Sequence, residues 1–181
     1  MDKMRKLSVV LVTLLVFVMV FTGCGKKETE GPEAFVTTDQ IHTDGQYAAR
    51  AYVESLLKGD KDLFLACYPD GFIDDLNTSA GVDVFEEYRK AVKFNGEFLG
   101  TSFVGYKDFI QQNGYDDQYM RSRISSVMAI PYEDLGVIRV EKINAYFKYS
   151  DEQVNTNFFV VVFEYQGSWY VIESLSGKGE F

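Results

Sequence analysis

The sequence predicts an α+β domain in which N-terminal helices pack on a C-terminal antiparallel sheet. Apolar residues recur at helical spacing between residues 45 and 130, and three runs rich in β-branched and aromatic residues follow residue 135. The breaks between these runs are only two to four residues long, and short connections join antiparallel neighbours. Helices followed by such a sheet are typical of the α+β class rather than of alternating parallel units.

The first predicted helix begins at a capping box and ends at a glycine. Thr43 is the expected N-cap, Gln46 is expected to reach back to it, and Gly59 is the expected C-terminal residue. One side of this helix is apolar. The opposite side is predicted to be exposed because charged residues recur there at helical spacing: Arg50, Glu54 and Lys58.

Three further helices are predicted from the residues that cap them and the residues that terminate them. A second capping box, Asp83-Val-Phe-Glu86, opens one of them. Another carries Met120 and Ile124 on its apolar side, with an Asp117–Arg121 pair outside. Their expected extents run from a capping residue to the next breaker: residues 60–68, 83–96 and 116–130.

The C-terminal half is predicted to form three strands of a meander. The runs are "GVIRVEKINAYFKY", "TNFFVVVFEY" and "SWYVIESL", with breaks at residues 150–153 and 166–167. Residues 158–163 are apolar at every position. A strand without polar alternation is expected to lie inside the sheet, covered on both faces.

The N-terminus has the layout of a secretory signal. A basic head over residues 1–6 precedes an apolar run of fifteen residues, Leu7–Phe21, which is too short to cross a bilayer as a helix. The run closes with Phe21-Thr22-Gly23-Cys24, which resembles the lipobox of bacterial lipoproteins. The resemblance implies a signal peptide over residues 1–23 and a diacylglyceryl group on Cys24. It also implies attachment to the extracytoplasmic face of the cell membrane, with a Gram-positive envelope expected.

The remainder divides into a predicted flexible tether, residues 24–44, and a folded domain, residues 45–181. The tether is expected because its charged, Gly- and Pro-containing sequence has no helical or strand period. An alternative is that Cys24 is incidental, in a protein that is uncleaved or is cleaved as an ordinary secretory precursor.

Composition narrows the functional classes. A net charge of −9 without a basic patch opposes nucleic-acid binding. If Cys24 is lipidated, Cys67 has no disulfide partner, and burial on a helix is expected for it. No cofactor or metal is expected. The acidic loop predicted over residues 70–77 contains Asp70, Asp74, Asp75 and Asn77 but lacks EF-hand spacing, so a solvated loop is favoured over calcium binding.

The order of elements resembles the NTF2-like fold. The segments that carry this resemblance are a helix ending "LLKGD", a second helix ending in proline and the final "GSWYVIESL", and it spans residues 46–175. The resemblance implies a cone, in which a curved antiparallel sheet wraps around the helices and encloses an apolar funnel. The expected funnel residues are Tyr88, Tyr119, Tyr146, Tyr165 and Trp169.

Two functions follow from this sequence. The leading hypothesis is a lipid-anchored, non-catalytic module that binds a small apolar ligand, a peptide or an envelope protein. The alternative is an isomerase- or dehydratase-like enzyme of the funnel type, with a desolvated carboxylate as base and a tyrosine as proton donor. The residues considered for these roles are Asp116, Asp117, Tyr119, Tyr146 and Tyr165.

Overall fold

The structure, a computed structural model, describes residues 31–92, 94–108 and 117–175. The predicted signal peptide, Cys24 and Asp116 lie outside the described residues.

Helices precede most of the strands, and the strands form one curved, open antiparallel sheet in the order β1-β2-β3-β4. The predicted α+β class, with N-terminal helices packed on an antiparallel sheet, is therefore confirmed. The elements are α1 Gly45–Lys58, α2 Lys61–Ala66, α3 Phe72–Ala80, α4 Val84–Ala91, β1 Glu97–Asp108, α5 Asp117–Met128, a short 3₁₀ turn Tyr132–Asp134, β2 Leu135–Tyr149, β3 Glu152–Tyr165 and β4 Ser168–Leu175.

Aspartate side chains cap three of the helices. Asp60 and Asp83 accept backbone N–H groups of α2 and α4, as their sequence positions predict. The prediction for α1 was wrong by one residue, since Asp44 accepts the N–H of Gln46 and Thr43 instead donates its hydroxyl to the Gln40 carbonyl. Helix α4 ends at Ala91, before the predicted end at residues 95–96.

One α-helix and one strand were not predicted, besides the short 3₁₀ turn. Helix α3 forms where an acidic loop was expected, between Gly71 and Gly81, both of which adopt left-handed backbone angles. Strand β1 pairs with β2 over its whole length, and its register shifts at Gly100 and Gly105. These shifts are β-bulges, and they break the two-residue period that would mark a strand in the sequence.

Both faces of the sheet are covered, and strand β3 lies inside it. Val160 and Val162 belong to a first core cluster that the sheet shares with helices α1 to α4. Val161 and Phe163 belong to a second core cluster on the opposite face, which includes Ile124 and Met120 of α5. The prediction of a central strand buried on both faces is therefore confirmed.

An N-terminal segment, residues 33–43, packs on the domain. Val36 and Ile41 are buried, the latter completely. The Glu33 backbone N–H donates to the Thr101 carbonyl, and the Trp169 N–H donates to the carbonyl of His42. The predicted tether extended to residue 44. The structure instead packs residues 33–43 against α1, β1 and β4, and the buried side chains of Val36 and Ile41 complete the first core cluster.

Replacing Ile124 with alanine tests whether α5 packs on the face of the sheet that carries the second core cluster. Ile124 is fully buried, so Ile124→Ala should lower the free energy of unfolding by about 2–5 kcal/mol. Gln118→Ala on the exposed side of the same helix is the control and should change it by about 0.5 kcal/mol or less. Chemical denaturation measures both, and equal effects would show that α5 does not pack there.

Candidate functional site

An open groove of about 430 Å³ lies where α1 and α4 end, beside the start of β1 and the end of β2. Its floor is aromatic. The rings of Phe94 and Phe147 stack with their centroids 4.2 Å apart, and Phe98 packs against Phe147 at 5.7 Å. The described lining residues are Leu56, Leu57, Glu86, Arg89, Lys90, Val92, Phe94, Asn95, Gly96, Phe98 and Phe147.

The rim of the groove is charged, and its charges come from the outer side of α4. Arg89 and Lys90 contribute two cations, and Glu86 contributes a carboxylate that lies 3.4 Å from Arg89 Nη1. Lys90 Nζ lies 2.7 Å from Glu87, which is not among the described lining residues. All four side chains are about half exposed, so these ion pairs are weak and can exchange partners.

The N-terminal segment begins beside this groove. The ring of Phe35 lies 6.1 Å from that of Phe98, and the ammonium group of Lys58 lies 4.3 Å from the Phe35 centroid. The chain passes so close to Gly100 that a Cβ there would lie 2.9 Å from Pro32 Cβ. Gly100 therefore permits both this close approach and its own positive φ of 142°.

A buried polar network joins this segment to α1 and β1. Arg50 and Glu54, predicted to be exposed, are 3% and 0% exposed. Arg50 donates to the Glu33 carboxylate, the Ala34 carbonyl and the hydroxyl of Thr101. Glu54 accepts from that hydroxyl and from the backbone N–H of Val36. The prediction failed because the N-terminal segment covers the side of α1 that would otherwise face water.

A second buried carboxylate, Glu141, lies below the N-terminus of α1. Arg139 Nη2 lies 3.0 Å from Glu141 and 3.0 Å from Asp44. The guanidinium carbon is 4.4 Å from the ring centroid of Tyr106 and 4.2 Å from that of Trp169. A Cβ on residue 45 would lie 2.7 Å from both Arg139 and Glu141, so the space between α1 and this ion pair is full.

Both buried carboxyl groups have raised pKa values. Burial raises the pKa of Glu141 from 4.5 to about 7, against the opposing effect of Arg139. Burial also raises the pKa of Glu54, and the hydrogen bond from Thr101 opposes that shift. Neither residue is among the described lining residues of the groove, so neither carboxyl meets a ligand there.

The five predicted funnel residues do not converge. Tyr88 and Trp169 pack with the first core cluster, on the face of the sheet that carries the helices. Tyr146 points to the opposite face and hydrogen-bonds Ser102, since its strand neighbours Ala145 and Phe147 point to the first. Tyr165 packs on the second core cluster and Tyr119 is exposed on α5. None of the five is among the described lining residues of the groove.

The other candidate groups also lie elsewhere. Cys67 is fully buried, as predicted, and burial followed by the nearby charge of Glu54 raises its thiol pKa. Asp117 is exposed and pairs with Arg121, as predicted for an outward helix pair. Within the described residues, no group of three or more His, Cys, Asp or Glu side chains is arranged to hold a metal ion.

Comparison of the chain with protein-family models, with curated proteins and with solved structures gives no match. In the part of the chain that the structure describes, no helix has the length and apolarity needed to cross a membrane.

The groove residues were missed because their sequence signal is weak. Phe94 lies in a loop and Phe98 in a bulged strand, where neither the helical nor the strand periodicity of apolar residues applies. Glu141 was missed because it follows the apolar Val140 and precedes the charged Lys142, a pattern that favours a solvent-facing position in a strand. These side chains are covered by strand β1, which was not predicted, and by the N-terminal segment, which was predicted to be a flexible tether.

Glu141→Gln should flatten the pH dependence of stability. A carboxyl whose pKa is raised in the folded state holds its proton better there, so stability is lost as pH rises from about 4.5 through 7. The full loss from Glu141 is about 3 kcal/mol, and Glu54 adds a change of the same sign. Melting temperatures measured between pH 5 and 8 should fall for the wild type and fall less for Glu141→Gln.

The exposed Glu133→Gln provides the control for this experiment and should follow the wild-type profile. Arg139 keeps Asp44 as its partner in Glu141→Gln, so the variant retains a paired guanidinium. A variant profile as steep as that of the wild type would refute the assignment of this pH dependence to Glu141.

Proposed function

We propose that this chain is a lipid-anchored binding module on the extracytoplasmic face of a cell membrane, and that its groove holds a small ligand with an apolar part that contacts the phenylalanine side chains. The observation that carries the proposal is the open groove with the stacked phenylalanine floor. Its volume of about 430 Å³ falls in the range of small-molecule sites, about 300–1,000 Å³.

The geometry of the floor favours binding. Phe94 and Phe147 stack nearly parallel, at 12°, and Phe147 is held in the first core cluster. Phe147 is only 1% exposed, so the apolar surface that a ligand can cover belongs to Phe94 and Phe98, which are partly exposed. Removing that surface from water contributes about 25 cal/mol per Å². Because the rings are already fixed by packing, little conformational entropy is lost when the ligand binds.

The chemistry at the groove gives less support to an enzyme. Glu86 is the one carboxylate among the described lining residues, and it is half exposed and close to Arg89. A general base in a funnel needs a desolvated carboxylate that faces the substrate. The desolvated carboxylates of the described residues, Glu54 and Glu141, are enclosed by protein instead. The isomerase- or dehydratase-like alternative therefore stays a prediction.

The anchor and the family are supported by the sequence. Phe21-Thr22-Gly23-Cys24 supports lipidation of Cys24, and two acyl chains are enough for a lasting membrane anchor. The α+β arrangement is compatible with an NTF2-like domain, which would present a cavity between helices and sheet. A peptide or an envelope protein is the other class of ligand that this groove could take.

Cys24→Ser should release the protein from the membrane. In cells that express the full chain, the wild type should partition with the membrane fraction and incorporate labelled palmitate. The variant should do neither, because its residue 24 has no thiol to receive the lipid. Equal membrane partition and labelling of both proteins would contradict the proposed anchor.

Native mass spectrometry should detect the ligand. All residues of both core clusters lie between residues 36 and 172, so a chain of residues 24–181 with Cys24→Ser keeps the whole core. Expressed behind an ordinary cleavable secretory signal in the source cell type and purified gently, this protein should carry an adduct that leaves on denaturation. The mass of the adduct would identify the ligand class.

A matched pair of variants assigns the adduct to the groove. Leu57→Trp places a larger side chain in the lining and should abolish the adduct. Leu65→Trp makes the same change at another partly buried position, outside the described lining, and should retain it. An adduct lost from both variants or from neither would contradict binding in the groove.

A further inference from the structure

We propose that the ligand of the groove is a single-chain amphiphile with an acidic head group, whose acyl chain lies on the phenylalanine floor and whose head group contacts Arg89 and Lys90. This inference rests on the proposed binding function and names the chemical class of the ligand. The shared chemistry is an acyl chain that ends in a carboxylate or a phosphate.

The rim of the groove is less acidic than the chain as a whole. The whole sequence carries a net charge of −9, yet the described lining residues contain two cations and one carboxylate. With Glu87, which pairs with Lys90, the rim has as many carboxylates as cations, so it repels an anion less than the rest of this acidic chain does. An acidic head group can take the place of Glu86 or Glu87 beside these cations, whereas a neutral or cationic head group cannot.

Arg89 is held in place for this role. A Cβ at Gly59 would lie 3.1 Å from the guanidinium carbon of Arg89 and 3.3 Å from its Nε, so the guanidinium packs directly over the glycine. Gly59 ends α1, and the C-terminal end of a helix carries partial negative charge that attracts a cation. The planar guanidinium is thus positioned beside the groove, with geometry suited to a carboxylate or phosphate.

The existing partners of the two cations can be displaced. Arg89 lies 3.4 Å from Glu86 and Lys90 lies 2.7 Å from Glu87, and all four side chains are about half exposed. Exposed pairs of this kind contribute about 0–1 kcal/mol, so an acidic ligand meets little competition from them.

The position of the N-terminal segment makes the membrane the source of the ligand. Pro32 and Phe35 lie beside the groove, through their contacts with Gly100 and Phe98. Eight residues lead from Cys24 to Pro32, and a chain of that length spans at most about 28 Å. A lipidated Cys24 would therefore keep the groove close to a bilayer, where acyl chains with acidic head groups are abundant.

The test compares ligands that differ only in their head group. The chain of residues 24–181 with Cys24→Ser is titrated by calorimetry with hexadecanoate, with 1-hexadecanoyl-glycerol-3-phosphate and with hexadecanol, below their aggregation concentrations. At least one acid should bind about tenfold more tightly than the alcohol, and the difference should shrink at high salt. Preference for the carboxylate indicates a free fatty acid as the ligand, and preference for the phosphate indicates a lysophospholipid.

Variants assign this preference to the two cations. Arg89→Gln and Lys90→Gln should each weaken acid binding about fivefold and leave alcohol binding unchanged. Lys142→Gln is the matched control, since that lysine lies over Phe159 on the opposite face of the sheet, and should bind like the parent protein. Melting temperatures check that each variant is folded. If Arg89→Gln does not fold, the effect of Lys90→Gln on acid binding tests the role of the cations.

The outcomes separate this inference from the proposed function. Equal affinity for acid and alcohol would overturn the acidic head group and leave an apolar ligand standing. The acidic head group would also be overturned if Arg89→Gln and Lys90→Gln left acid binding unchanged, or if Lys142→Gln weakened it by the same factor. Binding of none of the three ligands, together with the absence of an adduct from the purified protein, would overturn both proposals.

Discussion

Helix α1 is buried on every side, and the rest of the structure depends on how its polar residues are satisfied. Ten of its fourteen residues are buried, and they include Arg50 and Glu54 as well as three alanines of the first core cluster. A buried charge is tolerated only when it is paired and hydrogen-bonded. The N-terminal segment and Thr101 of β1 supply those partners, so the segment, the helix and the strand must be in place together.

This requirement also fixes where the N-terminal chain leaves the domain. Glu33 bonds Arg50 and the backbone of β1, which holds the preceding Pro32 against Gly100. The exit point therefore lies beside Phe98, at the aromatic floor of the groove. One polar network inside the fold, rather than a surface contact, therefore sets the place beside the groove where the chain that would carry the proposed anchor leaves the domain.

Local sequence patterns predicted the features that depend on neighbouring residues. They missed the features that depend on burial by residues far away in the sequence. The α+β class, the Asp60 and Asp83 caps, the buried Cys67 and the doubly covered β3 all follow from spacing and end signals. The i,i+4 pair Arg50–Glu54 looked like a solvated helix face, because the segment that buries it lies at a sequence separation of 16 to 18 residues and has no regular period. Strand β1 was missed because its bulges break the alternation, and the aromatic floor that it helps to build was missed with it.

Two arginines from other elements lie near the ends of α1, and their surroundings differ. This difference favours the groove, rather than the region around the buried Glu141, as the place for a ligand. At the N-terminal end, Arg139 is engaged by Asp44 and Glu141 and enclosed by two aromatic rings, which leaves it little capacity for another anion. At the C-terminal end, Arg89 packs on Gly59 and, within the described residues, has Glu86 as its nearest carboxylate, at 3.4 Å and half exposed. The helix dipole also favours a cation at this end. The fold therefore provides a packed and only weakly paired guanidinium beside the phenylalanine floor, which is the combination that the proposed acidic ligand requires.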